Sequence, residues 1–256
     1  MNIKIFCDFD GTVSVNDVGD KLFRTFGGTE VLEIVKEWMQ DKITARECWA
    51  RQFKAAPSIT PQQLEAFADA QKLDPYFKEF VGFCQSKGIE FYVLSDGFDF
   101  YIERILRNNG LDPASGTAQL SKDIEGGIPL MRNVKFFANH LNFNGNGTIY
   151  PTFPHTDSEC EKCGNCKRNH LLTLSGDDDI IVYIGDGYSD RCPAEYADIV
   201  FAKRDLLRYC QANNISFYEF QTFKDVIERL EKILSRKRIR KRWCAEMKRR
   251  EAFMQG

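Results

Sequence analysis

The apolar run Ile3–Phe6 passes without a break into Cys7-Asp8-Phe9-Asp10-Gly11-Thr12-Val13. A short, continuous apolar stretch that stops at turn chemistry reads as a buried parallel strand. In an open α/β sheet the carboxyl edge of such strands is where ligands bind, so Asp8 and Asp10 stand at that edge. Residues i and i+2 share a side only while the strand stays extended. Once the chain turns out of the sheet at Asp10-Gly11-Thr12, the two carboxylates can take different roles around one centre. A cation between them would offset their repulsion, and hard oxygen ligands suit Mg²⁺. Asp-Gly alone marks only a turn; the strand before it gives the string its weight.

With 256 residues the chain has room for one sizeable domain, or for a core with a smaller appendage. A net charge of −2 sets up no global field that would steer it toward nucleic acid or a membrane surface. No apolar run approaches spanning length, and a start that runs through Lys4 into a strand is unlike a signal peptide. Without such a signal, nine cysteines read as reduced thiols or metal ligands rather than a disulfide framework. The expectation is a cytoplasmic enzyme.

From Asp17 to about Leu73 the apolar spacing is helical throughout. Val18, Leu22, Phe23 and Phe26 fall on one face. Val31, Leu32, Ile34, Val35, Trp38 and Met39 fall on another. Thr29 is placed as an N-cap and Thr60-Pro61 as a further helix start. With no strand signal across it, the stretch reads as a small helical subdomain inserted after the first strand, left at Asp74-Pro75. Core strands are expected at Glu90–Leu94, Ile180–Ile184 and Ile199–Ala202. Residues 133–153, with Asn144-Gly145-Asn146-Gly147, read as a hairpin. Strands alternating with helices imply a parallel sheet with right-handed crossovers. The fold class is therefore α/β: a doubly wound parallel (Rossmann-like) sheet core with an inserted α-helical cap. The expected division is 1–16 and 75–235 as core, 17–74 as cap and 236–256 as a basic C-terminal tail.

Three strands end in polar clusters: Asp8/Asp10/Thr12, Ser95/Asp96/Gly97 and Asp186/Asp190. In a parallel sheet these ends lie side by side, so the clusters converge, and Lys167 before a mid-chain helix can add a cation. The order Asp8-x-Asp10-Gly-Thr-Val, Ser95, Lys167, Gly-Asp186-Gly-x-x-Asp190 resembles the haloacid dehalogenase superfamily of phosphohydrolases, over essentially the first 230 residues. The resemblance implies nucleophilic attack by Asp8 on phosphorus, through an aspartyl-phosphate. Asp10 would act as general acid and then base. Mg²⁺ would be held by Asp8, the Asp10 carbonyl and Asp186, with Asp190 as ligand or just behind. Thr12, Ser95 and the backbone at Asp96 and Gly97 would hold phosphate, and Lys167 would neutralise charge. The substrate implied is a small phosphorylated metabolite. Asn16 and Asp17, just beyond the nucleophile loop, are the candidate substrate contacts among the cap's polar residues.

His155-x4-Cys160-x2-Cys163-x2-Cys166 has the tight spacing of thiolate metal ligation, for which Zn²⁺ is the usual ion. A closed site needs a fourth ligand, with His155 and Cys192 ahead of His170 and Asp157; the alternative is a loop of free thiols. This segment also resembles the phosphatases of methionine salvage that act on 2-hydroxy-3-keto-5-methylthiopentenyl-1-phosphate, as do Gly97-Phe98-Asp99-Phe100 and Phe201-Ala202-Lys203-Arg204-Asp205. Phosphoserine and phosphoethanolamine/phosphocholine phosphatases are more distant likenesses. The basic run Arg236–Arg242 and Lys248-Arg249-Arg250 reads as a solvated terminal helix. The contrasting class is a non-catalytic protein that binds an anionic partner through that tail; a phosphotransferase is a third reading.

Overall fold

The computed structural model describes residues 2–56, 59–115, 133–144, 149–157 and 160–255. The first strand, β1 (Ile3–Asp8), lies at the centre of the molecule. Ile5 and Cys7 face one apolar layer and Phe6 the other, the alternation of an extended strand buried on both sides. Five α-helices follow before the next strand, and the first four are α1 (Val18–Phe26), α2 (Glu30–Met39), α3 (Ala45–Ala55) and α4 (Pro61–Asp69). Asp17 caps α1 by accepting the Asp20 amide. Thr60 and Gln63 form a reciprocal capping box with Pro61 in the first turn of α4. Thr29 occupies the cap position of α2, but its side chain makes no capping bond. On α2 the apolar face is narrower than the sequence implies. Val31 and Ile34 are buried, whereas Leu32 and Met39 are 42% and 47% exposed.

The chain returns through α5 (Phe77–Ser86) to β2 (Glu90–Phe98), α6 (Asp99–Asn108), β3 (Asp112–Ser115), β4 (Asn133–Phe143) and β5 (Ile149–Thr152). Then come α7 (Lys167–Leu174), β6 (Ile180–Gly185), α8 (Arg191–Tyr196), β7 (Ile199–Ala202), α9 (Arg204–Ala212), β8 (Tyr218–Glu219), α10 (Phe223–Leu234) and α11 (Trp243–Gln255). The eight-stranded sheet runs β3-β4-β2-β1-β6-β7-β8, with β5 paired to β4 alone. All pairs are parallel except β4–β5. β2 lies on one side of β1 and β6 on the other, so β1 flanks the point where strand order reverses, where doubly wound sheets open a ligand crevice. The registers Asp8↔Leu94 and Cys7↔Ile184 bring three carboxyl ends level.

Two expectations are corrected. Residues 133–153 are more than a hairpin: β4 runs parallel between β3 and β2 over Asn133–Asn139, and only His140–Phe143 pair with β5. Val134, Phe136 and Ala138 are buried while Lys135 is exposed, an alternation that half-exposed hairpin strands share. Residues 145–148, which include Gly145, Asn146 and Gly147 of the expected turn, lie outside the described residues. The basic run is docked in part: Arg236, Lys237, Arg238, Arg240 and Arg250 are exposed, but its middle is tied to the core. Arg249 pairs with Asp198 at 3.0 Å, Arg242 donates to the carbonyls of Ala194 and Glu195, and Ala245 is fully buried. Among the described residues no helix is long and apolar enough to cross a membrane.

Candidate active site

Asp8 ends β1 with only 4% of its surface exposed. The chain then turns sharply through Phe9–Val13, with Gly11 at φ +77°. A Cβ there would lie 2.6 Å from Asp186 Oδ2, so both conformation and space require glycine. This turn lets the backbone of the first loop meet Asp186 at the end of β6.

Lys167, the first residue of α7, is buried and reaches back to β1. Its Nζ donates to Asp8 Oδ1 (2.5 Å), Asp190 Oδ1 (2.7 Å) and Ser189 Oγ (3.0 Å), using all three ammonium protons. Burial opposes the charge, but Asp190 and Asp8 outweigh it and raise the pKa of Lys167 above its ordinary value. Asp190, fully buried, also accepts from Tyr183 Oη (2.6 Å) and from the amides of Asp186 and Gly187 (2.9 Å each). Four donors occupy its two oxygens, so Asp190 is an anchor for the loop and for Lys167. Asp186 is held by Thr12 Oγ1 (3.1 Å) and Arg204 Nη1 (2.9 Å). Desolvation pushes the Asp8 carboxyl well up, and lifts Asp186 to about 6, with the charge of Asp190 adding to both.

Asp10 turns the other way. Its carboxylate accepts from Ser95 Oγ (2.8 Å), from Tyr101 Oη (3.2 Å to each oxygen) and from the Val18 amide (3.2 Å). Burial, with Asp17 adding, raises its pKa to about 7. Gly97 packs directly under Tyr101 Oη and Asp10, leaving no room for a Cβ. Asp96 accepts the Asn165 amide (2.9 Å), and Asn165 Nδ2 ties Ser95 O to Phe137 O. The end of β2 is thus locked to the segment that leads into Lys167.

Asp8, Asp10, Asp96, Gly97, Asp186 and Asp190 line one cavity of about 360 Å³, together with Asp17. The neighbouring candidates take these positions. Thr12 is fully buried, and its hydroxyl is directed at Asp186 rather than at the cavity. Ser95 is buried, with its hydroxyl donating to Asp10 and accepting from the Gly97 amide. Asn16 is exposed and does not line the cavity; its backbone carbonyl holds the loop by accepting from Gly11 N and Ser14 Oγ. Nothing in the sequence assigned a role to Tyr101, Asn165, Tyr183 or Arg204; the partners of Tyr101 and of Asn165 Nδ2 are 28 to 91 residues away, whereas Tyr183 meets Asp190 only seven residues on. Arg204 carries a positive φ of +50°, rare for a side chain with a Cβ, while bridging Asp186 and the first loop.

Among the described residues, one group brings ligand atoms within 4.8 Å of one another: Asp8, Asp186 and Asp190. An all-oxygen, buried and electrostatically under-compensated set fits a hard divalent cation. The cysteines do not converge in this way. Cys160, Cys163, Cys166 and Cys192 are free thiols in one neighbourhood. Burial pushes Cys166 up to about 11, keeping it protonated, whereas Cys192 is exposed. His155 packs its ring on Phe137 and His170 instead of turning toward them.

A family model described as haloacid dehalogenase-like hydrolase matches residues 5–195. The chain belongs to that family. It is 32% identical over 235 residues to a 2-hydroxy-3-keto-5-methylthiopentenyl-1-phosphate phosphatase of Exiguobacterium sibiricum, covering 90% of this chain and 97% of that one. A phosphatase of the same name from Bacillus mycoides is 28% identical, with 91% and 98% covered. Among solved structures, a substrate-bound phosphoserine phosphatase superposes with a TM-score of 0.62 at 18% identity, covering 90% and 98% of the two chains. That likeness establishes the shared fold. This haloacid dehalogenase-like protein thus combines the family's sheet with the four-helix insertion that supplies part of the cavity wall.

Proposed function

We propose that this chain, a phosphatase of the haloacid dehalogenase-like family, hydrolyses a small phosphorylated metabolite through a phosphorylated Asp8. The carrying observation is Asp8 on the cavity wall with Lys167 against it at 2.5 Å and Asp186 within ligand distance. Asp8 attacks phosphorus and the ester oxygen leaves. Asp10, with a pKa of about 7, holds a proton near neutrality for that oxygen, and Ser95 and Tyr101 fix its direction. In the second half Asp10, now ionised, takes a proton from the water that attacks phosphorus and frees Asp8. Lys167 favours the ionised form of Asp8 and offsets charge gathering on the phosphoryl group. Mg²⁺ would be held by Asp8, Asp186 and the Asp10 carbonyl, with Asp190 behind them. Bound there, it supplies positive charge for the phosphate oxygens.

In this reading residues 17–74 are the cap over a core of 1–16 and 75–235, followed by a basic segment of 236–256. Likeness to the Exiguobacterium and Bacillus enzymes favours 2-hydroxy-3-keto-5-methylthiopentenyl-1-phosphate as substrate. All nine cysteines being free thiols supports a reducing, cytoplasmic setting. The test is acid-quenched protein labelled from a ³²P-aryl phosphate with Mg²⁺. Wild type is expected to retain hydroxylamine-labile label and Asp8→Asn none, with turnover down by about 10³-fold or more. Undiminished turnover in Asp8→Asn would refute the mechanism.

A further inference from the structure

The cavity has a second half. Opposite the carboxylates, α2 contributes Val35, Trp38 and Met39, and α3 contributes Ala45 and Trp49. Trp38 is fixed by an edge-on contact with Tyr188 (5.0 Å, 67°), which sits between Asp186 and Asp190 in sequence. The Arg191 guanidinium stacks on Tyr188 at 4.2 Å. The apolar wall is therefore braced against the loop that carries the reacting site's acids.

The charged residues on the rest of the wall are paired except Asp17. Arg24 pairs with Asp20 (2.5 Å), Arg204 with Asp186 (2.9 Å) and Asp205 with Arg208 (2.7 Å), while Asp17 caps α1. An amino-acid substrate needs a free cation for its carboxylate and a free anion for its ammonium. Asp17 could face the ammonium, but both arginines are paired, so the substrate carboxylate would have to displace an existing partner and lie against indole and thioether. The α3 residue Gln52, only 2% exposed, adds a neutral polar group to this wall. Its Oε1 accepts from Cys48 Sγ at 3.7 Å, leaving Nε2 for an uncharged oxygen.

We propose that this wall selects phosphate monoesters whose organic end is uncharged and apolar, with Trp38 as the principal specificity residue, and that it rejects phosphorylated amino acids. The proposal rests on the phosphatase reading above. It separates this chain from the phosphoserine phosphatases that share its fold.

The test compares kcat/KM with Mg²⁺ for ethyl, butyl and hexyl phosphate and O-phosphoserine, with p-nitrophenyl phosphate reporting the chemistry. The expected gain is about three- to fourfold per methylene, the transfer value of a buried CH₂. O-Phosphoserine is expected at least about tenfold below butyl phosphate, the discrimination one unmatched buried charge gives. Trp38→Ala should bring the hexyl/ethyl ratio toward one and Trp38→Phe should keep it. Met39→Ala, at an exposed position, should lower it in part. A preference for O-phosphoserine, or an unchanged ratio in Trp38→Ala, overturns the proposal. If no ester turns over, the phosphatase reading fails, and calorimetry with ethyl- and hexylphosphonate still decides the wall: tighter hexyl binding supports it, equal affinity overturns it.

Discussion

Lys167 Nζ lies 2.5 Å from Asp8 Oδ1 although 159 residues separate the two in the chain. The same ammonium is 2.7 Å from Asp190, so one buried cation serves two buried carboxylates. Removing a single partner of such a set leaves charge buried without compensation. Lys167→Gln is therefore expected to cost about 3–5 kcal/mol in urea unfolding without divalent cation. A loss below about 1 kcal/mol would show that the carboxylates simply take up protons.

The raised pKa values of Asp8 and Asp186 mark a site short of positive charge. Mg²⁺ should stabilise the folded state by mass action, by about 2.7 kcal/mol at a hundred times its dissociation constant. That corresponds to about 5–10 °C in Tm for a chain near this size. Asp186→Asn should remove most of the shift in a thermal melt. An equal Mg²⁺ response in wild type and variant would place the ion elsewhere.

Asp10 has its pKa lifted to about 7, first by burial and then by Asp17, so the carboxyl is protonated below that pH and ionised above it. As donor to the leaving oxygen it should make kcat/KM fall as pH rises through that region. Asp10→Asn should lower turnover of an alkyl phosphate about 10²–10⁴-fold. The loss should be smaller for p-nitrophenyl phosphate, whose leaving oxygen needs little protonation. Equal losses on both esters would count against Asp10 as the acid.

His170 is buried with Nε2 2.6 Å from Asn165 Oδ1, and burial, then His155, lowers its pKa to about 3. The unfolded chain regains an ordinary imidazole near 6.5. Between those values the unfolded state binds more protons, so this stability is fully present above about pH 6.5 and is lost as pH falls toward 3. The slope is about 1.4 kcal/mol per pH unit within the window. Carboxylates with raised pKa values act in the opposite sense, so the readout is the difference between wild type and His170→Gln. Below pH 6 wild type should lose more stability; parallel pH profiles would show that His170 titrates normally.

The sequence by itself determined the strand-end acids, the parallel sheet and the helical insertion. Those features are written locally: continuous apolar runs for strands buried on both faces, helical spacing for α1–α4, and Asp-Gly or Gly-Asp turns where strands stop. It also located Asp8, Asp10, Lys167, Asp186 and Asp190 as one set. Only tertiary structure decided how that set is arranged. Thr12 and Ser95 read as phosphate contacts, and in the fold their hydroxyls bond Asp186 and Asp10. Tyr101, Asn165 and Arg204 carry no local signal, because each acts through a partner brought close by the fold. The same holds for part of the basic run: Arg242 and Arg249 dock against carbonyls and Asp198, while residues 236–238 stay exposed as charge patterning predicts. Short-range pattern reports whether a residue prefers to be buried; which polar group receives its hydrogen bond is settled by pairings across the fold.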